Sequence, residues 1–239
     1  MYNVGVSDSQ EVVKGVFMML QFKYYGHACF SLHDGKHTIL FDPFLTGNPQ
    51  ATAAWDDIDC QYILVSHGHG DHLGDAAAIA RRTGATIITT PEVGALCEGA
   101  TIHGMNLGGS HIFPFAKVRM TLALHSAGVA GGQACGFVLH FEDQTVYFAG
   151  DTALFSDMEL IGRKDRIDYA ILPIGDNYTM GMEDAAMAAK LLNARHVIPI
   201  HYNTWPVIAQ DVELYKELTE KMSRASVHIV RPGDGLELK

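Results

Sequence analysis

The stretch "VSHGHGDHLGD", residues 65–75, places His67, His69, Asp71 and His72 within six positions, directly behind the apolar run "CQYILV". A buried strand that opens at once into imidazoles is costly unless something binds them. Alternate histidines on an extended turn, His67 and His69, point the same way. Asp71 and His72 then face a neighbouring point as the chain curls towards a helix near Gly74. Neutral imidazole and carboxylate are the ligands of a borderline metal such as zinc. Surface histidines at a helix start would not be this dense or this directional.

Four such groups cannot complete two metal sites alone. The sequence supplies three further places where an ionisable side chain ends an apolar strand: His125 in "LALHSAG", Asp151 in "VYFAGDT" and His201 in "VIPIHYN". Each follows several apolar residues, as expected of a group at a sheet edge where loops gather.

The elements that must carry these residues follow a recognisable rhythm. "LQFKYY", "ACFSLH" and "HTILFD" read as strands, the last two joined at "DGK". "QYILVS" reads as a buried strand and "DAAAIARRTG" as a helix closed by Gly84. "TIITT", a short helix from Pro91, "KVRMTLAL", "GFVLHF" and "TVYFAG" follow, the last pair joined at "EDQ". The last third turns to βα: "YAILPI", helix "MEDAAMAAKLL", "HVIPIHY", helix "DVELYKELTEKM" and "SVHIVR". Two mixed sheets face to face with helices outside suit this order better than a doubly wound sheet. No GxGxxG follows the first strand, and "GVAGGQACG" at 128–136 lacks the Lys-Ser/Thr of a phosphate loop, so it reads as a mobile turn.

Composition narrows the classes. The chain has 239 residues, 48% of them apolar, with 17 basic against 27 acidic residues. That supports one sizeable core and gives no basic footprint for nucleic acid or an anionic membrane. Cys29, Cys60, Cys97 and Cys135 form no CxxC pair, and no apolar stretch reaches the length of a membrane span. Reduced, buried thiols and a cytoplasmic location are expected. Residues 1–18 have weak periodicity before the adjacent Met18 and Met19. They read as an extension or an ordinary terminal arm, with a single domain over 19–239.

HxHxDH, a lone His, Gly-Asp-Thr and a final His, in that order, resemble the metallo-β-lactamase superfamily from about Met19 onward. "YYGHACF", "FDPFLTGNP", "PIGDNYTMG" and "PIHYNTWP" narrow the resemblance to small single-domain metal-dependent hydrolases, similar to the ascorbate-phosphate lactonases. The resemblance implies an αββα sandwich in the α/β class with metals at the sheet edges. It implies one ion on His67, His69 and His125, a second on Asp71, His72 and His201, and Asp151 bridging. Two divalent ions per chain follow from it, zinc first, with manganese or iron as alternatives. No Cys replaces a ligand, and neither a flavodoxin-like domain nor the extra domain of nucleic-acid-processing relatives is expected.

Two such ions roughly 3.5–4 Å apart can share a hydroxide, because metal binding brings the pKa of water near 7. Asp71, ligating through one oxygen, is expected to orient that hydroxide and take its proton. Asp42 in "ILFDP" matches the superfamily's first motif, where an Asp holds a ligand imidazole by its second nitrogen; a turn former before Pro43 is the rival role. His27 either lines the pocket or is a satisfied core histidine. Asp176, Asn177 and Tyr178 are expected at the substrate or in a helix-capping turn, and Asn203 and Trp205 along one wall. His33, His37, His103, His111, His140, His196 and His228 fit no pattern and are taken as structural or exposed.

The expected activity is hydrolysis of a small ester, lactone or amide. The alternatives are a phosphodiesterase, or a non-hydrolytic metal-binding or mononuclear iron protein of the same fold. The expected partner is a small molecule, with no nucleic acid and no membrane, and a homo-oligomer remains open.

Overall fold

The computed structural model describes residues 19–239; the expectation for residues 1–18 lies outside the described residues. The chain first lays down β1 (Leu20–Gly26), β2 (Cys29–His33), β3 (Thr38–Phe41) and β4 (Tyr62–Leu64). Helices α1 (Gly70–Leu73) and α2 (Ala76–Thr83), β5 (Thr86–Thr89), α3 (Pro91–Gly94) and β6 (Thr101–Gly104) complete the first half. The second half runs β7 (Ser110–Ile112), β8 (Lys117–Leu122), β9 (Cys135–His140), β10 (Thr145–Phe148), α4 (Met158–Asp165) and β11 (Tyr169–Pro173). It continues through α5 (Met182–Leu192), β12 (His196–Ile200), α6 (Val212–Met222) and β13 (Ser226–Val227), and β14 (Gly235–Leu238) returns to pair with β1.

Two seven-stranded sheets result, ordered β14-β1-β2-β3-β4-β5-β6 and β13-β12-β11-β10-β9-β8-β7. Their pairings match step for step. Antiparallel pairs lead to β3 in one sheet and β10 in the other, and every pair beyond is parallel. The carboxyl ends of β1, β3, β4, β5, β8, β10, β11 and β12 therefore open on one edge of the sandwich. The point where pairing changes direction is where open sheets place ligands.

Alternation along the strands splits the apolar residues into layers. Phe22, Phe30, Ile39, Phe41, Phe137, Phe148 and Ile171 fill the space between the sheets. Leu40, Ile63 and Ile87 turn outward to Ala76 and Ile79 of α2 and Val93 of α3. Val138, Tyr147, Ala170 and Leu172 turn outward to Met158 and Ile161 of α4 and to α5 and α6. With both faces covered, the strands read as continuous apolar runs. This is the expected αββα arrangement.

The sequence reading had no place for β6, β7, α4 and β14, and it ran the strand at β13 four residues too far. β6 and β7 are short, largely exposed edge strands with little apolar pattern to read. The signal for α4 was present: Met158, Ile161, Gly162 and Asp165 are its buried face, at helical spacing. Gly84 closes α2 at φ +75°, as expected. The four cysteines are unpaired, buried thiols. Among the described residues no helix is long and apolar enough to cross a membrane.

Candidate metal centre

Every residue of the predicted ligand set leaves the carboxyl end of a strand at the shared edge. The loop after β4 carries His67, His69, Asp71 and His72 into α1, while His125 follows β8, Asp151 follows β10 and His201 follows β12. Side chains 174 positions apart, from His27 to His201, thus meet in one place; their rings lie 4.0 Å apart between centroids.

Two groups of ligand atoms form there. His67, His69 and His125 converge, with His67 Nε2 2.9 Å from His69 Nδ1. Asp71, His72 and His201 form the second group, joined by His27. Asp151 Oδ2 stands between them, 3.2 Å from both His72 Nε2 and His201 Nε2 and 3.7 Å from His125 Nε2.

The atoms behind the ligands fix how the rings face. His72 Nδ1 lies 2.7 Å from Asp42 Oδ2, inside the protein. Ser66 donates its hydroxyl to the same oxygen at 2.5 Å and its backbone N–H to Asp42 Oδ1 at 2.7 Å. With its own proton committed, Ser66 Oγ accepts from His67 Nδ1 at 2.9 Å. Both imidazoles therefore turn Nε2 inward, the nitrogen that carries the lone pair when the ring is neutral. His27 Nε2 is 3.2 Å from Asp71 Oδ2, and its Nδ1 is 2.8 Å from Thr204 Oγ1.

These residues fit a divalent metal. His72 Nε2 and both ring nitrogens of His201 are buried with no hydrogen-bond partner, even though Asp151 lies near, which leaves an Nε2 of each for an ion to satisfy. Burial drives His67 down to about 2 and His27 down to about 4, which keeps both imidazoles neutral, the state a ligand requires. Burial opposes the charge on Asp151, yet His201 and His72 outweigh it and hold the carboxyl well below its usual range. For His72 burial again favours the neutral ring, but Asp151 and Asp42 raise its pKa well above normal. Without an ion these carboxylates are balanced only by the imidazoles around them; a divalent cation bound here would take over that role and leave the rings neutral.

The backbone here is unusual. His27, Asp42, Asp176, Asn177, His201 and Asn203 all have positive φ, between 38° and 61°, and all lie on loops at this edge. Among the described residues, the other two non-glycine residues with positive φ, Arg166 and Asn193, simply close α4 and α5. Such conformations cost about 1–3 kcal/mol each and persist where the surroundings hold them. Gly128 (φ +68°) is packed against the HxH turn: a Cβ there would meet His69 N at 2.6 Å. The start of the glycine-rich stretch is thus a close backbone support for His69, and Gly68 N–H donates to Ala127 O at 2.8 Å.

The weaker candidates behave differently. Asp176, Asn177 and Tyr178 form a tight turn anchored by Met180 N–H donating to Thr152 O, one residue beyond Asp151. Asn177 N–H bonds to Asp176 Oδ1, and Asn203 Oδ1 accepts from Gln210 N–H, so two of these side chains serve their own loops. None hydrogen-bonds to the ligand groups among the described residues. His37, His140, His196 and His228 bond elsewhere, to Asp34, to Asp165 and to each other. Sequence reasoning missed Ser66, Gln50 and Thr204. Ser66 adjoins His67 and could have been found; Gln50 and Thr204 reach His27 only through the fold.

A model of the beta-lactamase superfamily domain matches residues 37–202. A UPF0173 metal-dependent hydrolase of Heliobacterium modesticaldum is 47% identical over 233 residues, covering 92% of this chain and 98% of its own. Igni18, described as a novel metallo hydrolase from Ignicoccus hospitalis, superposes with a TM-score of 0.86 at 34% identity, over 92% of this chain and 99% of its own. CmlA, a diiron β-hydroxylase from Streptomyces venezuelae, has a TM-score of 0.74 at 14% identity, over 92% of this chain and 54% of its own. That last likeness concerns the fold alone. The chain belongs to the metallo-β-lactamase superfamily and is a metal-dependent hydrolase.

Proposed function

We propose that the chain is a binuclear hydrolase of small, uncharged esters, lactones or amides, folded as one domain over 19–239. His67, His69 and His125 hold one divalent ion and Asp71, His72 and His201 the other, with Asp151 shared. The observation that carries this reading is the place of Asp151 Oδ2, within 3.7 Å of ring nitrogens from both groups. Zinc suits the nitrogen-rich donor set best, with manganese or iron as the alternatives.

Bound there, a pair of divalent ions brings water to a pKa near 7 and polarises the substrate oxygen. The chain supplies the rest. Asp71 is the carboxylate of this group that faces solvent, 31% exposed against 4% for Asp151. One of its oxygens lies among the imidazoles, and the other is free to take a proton from the attacking water. Asp42 and Ser66 keep His72 and His67 in the ligating tautomer.

The rim selects the substrate. Leu96, Leu124, Tyr178 and Val207, each between 47% and 58% exposed, stand on the loops at this edge. No Lys or Arg occurs in 42–54, 65–75, 124–135, 151–157, 175–181 or 201–210. A polyanion would find no side-chain cation, which argues against nucleic acid and generic phosphodiesters. The unpaired thiols suit a reducing compartment, and we place the protein in the cytoplasm.

Elemental analysis of desalted protein, with rates on chromogenic esters, lactones, bis(p-nitrophenyl) phosphate and single-stranded RNA under one metal condition, tests the reading. Two ions and fastest turnover on an uncharged ester or lactone are expected. One ion or none overturns the binuclear centre. RNA cleaved faster than every ester overturns the substrate class.

A further inference from the structure

His27 lies outside the ligand set implied by HxHxDH and its partners, yet both its ring and its backbone are held by hydrogen bonds. Its side chain is fully buried, its φ is +58°, and its backbone is fixed at both ends. Its N–H donates to Gln50 Oε1 at 2.9 Å, while its C=O accepts from Tyr24 Oη at 2.7 Å and from His201 N–H at 2.8 Å. The residue therefore ties β1 to the His201 loop across the two sheets.

The hydrogen bonds behind the ring decide which nitrogen carries the proton. Gln50 Nε2 donates to Tyr202 O at 3.1 Å, so the amide turns Oε1 towards His27 N–H and Thr204. Thr204 Oγ1 donates to that oxygen at 3.2 Å. A hydroxyl has one proton; once it is given to Gln50, Thr204 can only accept at the 2.8 Å contact with His27 Nδ1. The proton then sits on Nδ1, and Nε2 presents a lone pair to the metal position. The competing tautomer, Nε2–H donating to Asp71, takes the Thr204 proton away from Gln50.

We infer that His27 is a fourth protein ligand of the second ion, through Nε2, with Thr204 and Gln50 as the relay that orients it. This rests on the binuclear reading above. The ligand atoms of His27, Asp71, His72 and His201 lie within 4.8 Å of one another. The His27 Nε2–Asp71 Oδ2 separation of 3.2 Å is close to the edge of a tetrahedron around zinc, roughly 3.3–3.6 Å for bonds of about 2.0–2.2 Å. The second position then has four terminal ligands with Asp151 beside them, against three imidazoles at the first. The second ion is the more enclosed and more tightly held of the two, and the open coordination for water and substrate lies at the first.

The test reads the tautomer directly. Zinc-loaded protein with 15N-labelled histidine is studied by long-range 1H–15N correlation, with metal content measured on the same sample. His27 is assigned by the loss of its signals in His27→Gln, or by their displacement in Thr204→Val should the first variant fail to fold. A proton on His27 Nδ1 with a metal-shifted Nε2 is expected. His27→Gln should weaken the second ion by more than ~100-fold, and Thr204→Val by about 10–100-fold, as for the loss of an orienting bond. Two ions with the His27 proton on Nε2 would overturn the inference and leave the binuclear reading standing. One ion in the wild type would overturn both.

Discussion

Asp42 Oδ2 lies 2.7 Å from His72 Nδ1 and also takes the hydroxyl proton of Ser66, whose oxygen faces His67. One buried carboxylate thereby orients an imidazole in each of the two candidate metal-binding groups, directly in one case and through a hydroxyl in the other. Asp42→Ala should lower the affinity for both ions by about 10–100-fold, whereas Ser66→Ala should act mainly at the His67 position. Stepwise competition with a chromophoric chelator separates the two constants. The double variant should cost less than the two single effects combined, because the contacts are shared.

Asp151→Asn keeps the size of the side chain and removes the charge that both groups face. The folded variant should lose at least one ion and more than ~100-fold in kcat/KM, beyond the loss of any single bond behind a ligand. Two retained ions with normal turnover would refute the shared role of Asp151.

Gly128 and Gly131 both have positive φ, +68° and +74°, but only Gly128 lacks room for a Cβ. Gly131→Ala should cost roughly 1–2 kcal/mol, the strain of the left-handed region alone. Gly128→Ala should cost more and should also weaken the first ion, because the added methyl would push the His69 backbone. Denaturation midpoints and metal titrations of the two variants provide the comparison.

A single cation placed on the apolar rim should reveal the selectivity. Val207→Arg should raise kcat/KM on bis(p-nitrophenyl) phosphate by up to about fivefold at low salt, the effect of one exposed ion pair. Added salt should erase the gain, and turnover of a neutral ester should not rise. An unchanged ratio between the two substrates would show that the rim does not touch them.

The candidate metal ligands stood out in the sequence as polar groups just behind apolar runs, and the structure gathers them at one edge, whereas His33 and His140, which also end apolar strands, fall at the opposite one. Asp42 carried the same mark, behind "ILF", and only its partners were hidden. His27 also follows a strand, but its role depends on Gln50, 23 residues away, and Thr204, 177 away. No local pattern announces a relay assembled by packing. The large sheets were readable from continuous apolar runs; β6, β7 and β14 were not, since exposed and partly exposed edge strands need no such run.

The matched order of pairing in the two sheets has a mechanical consequence. Asp42 and Asp151 follow corresponding strands, β3 and β10, one in each sheet. The donors are divided likewise, with the HxHxDH loop on the first sheet and His125, Asp151 and His201 on the second. Neither half holds all the donors of either group, so an ion bound at each, as proposed above, would be a rivet through the seam between them. Removing the ions should therefore loosen the joint rather than a local loop: chelation should lower the melting temperature of the whole chain in one cooperative step, and hydrogen exchange should quicken along both inner faces.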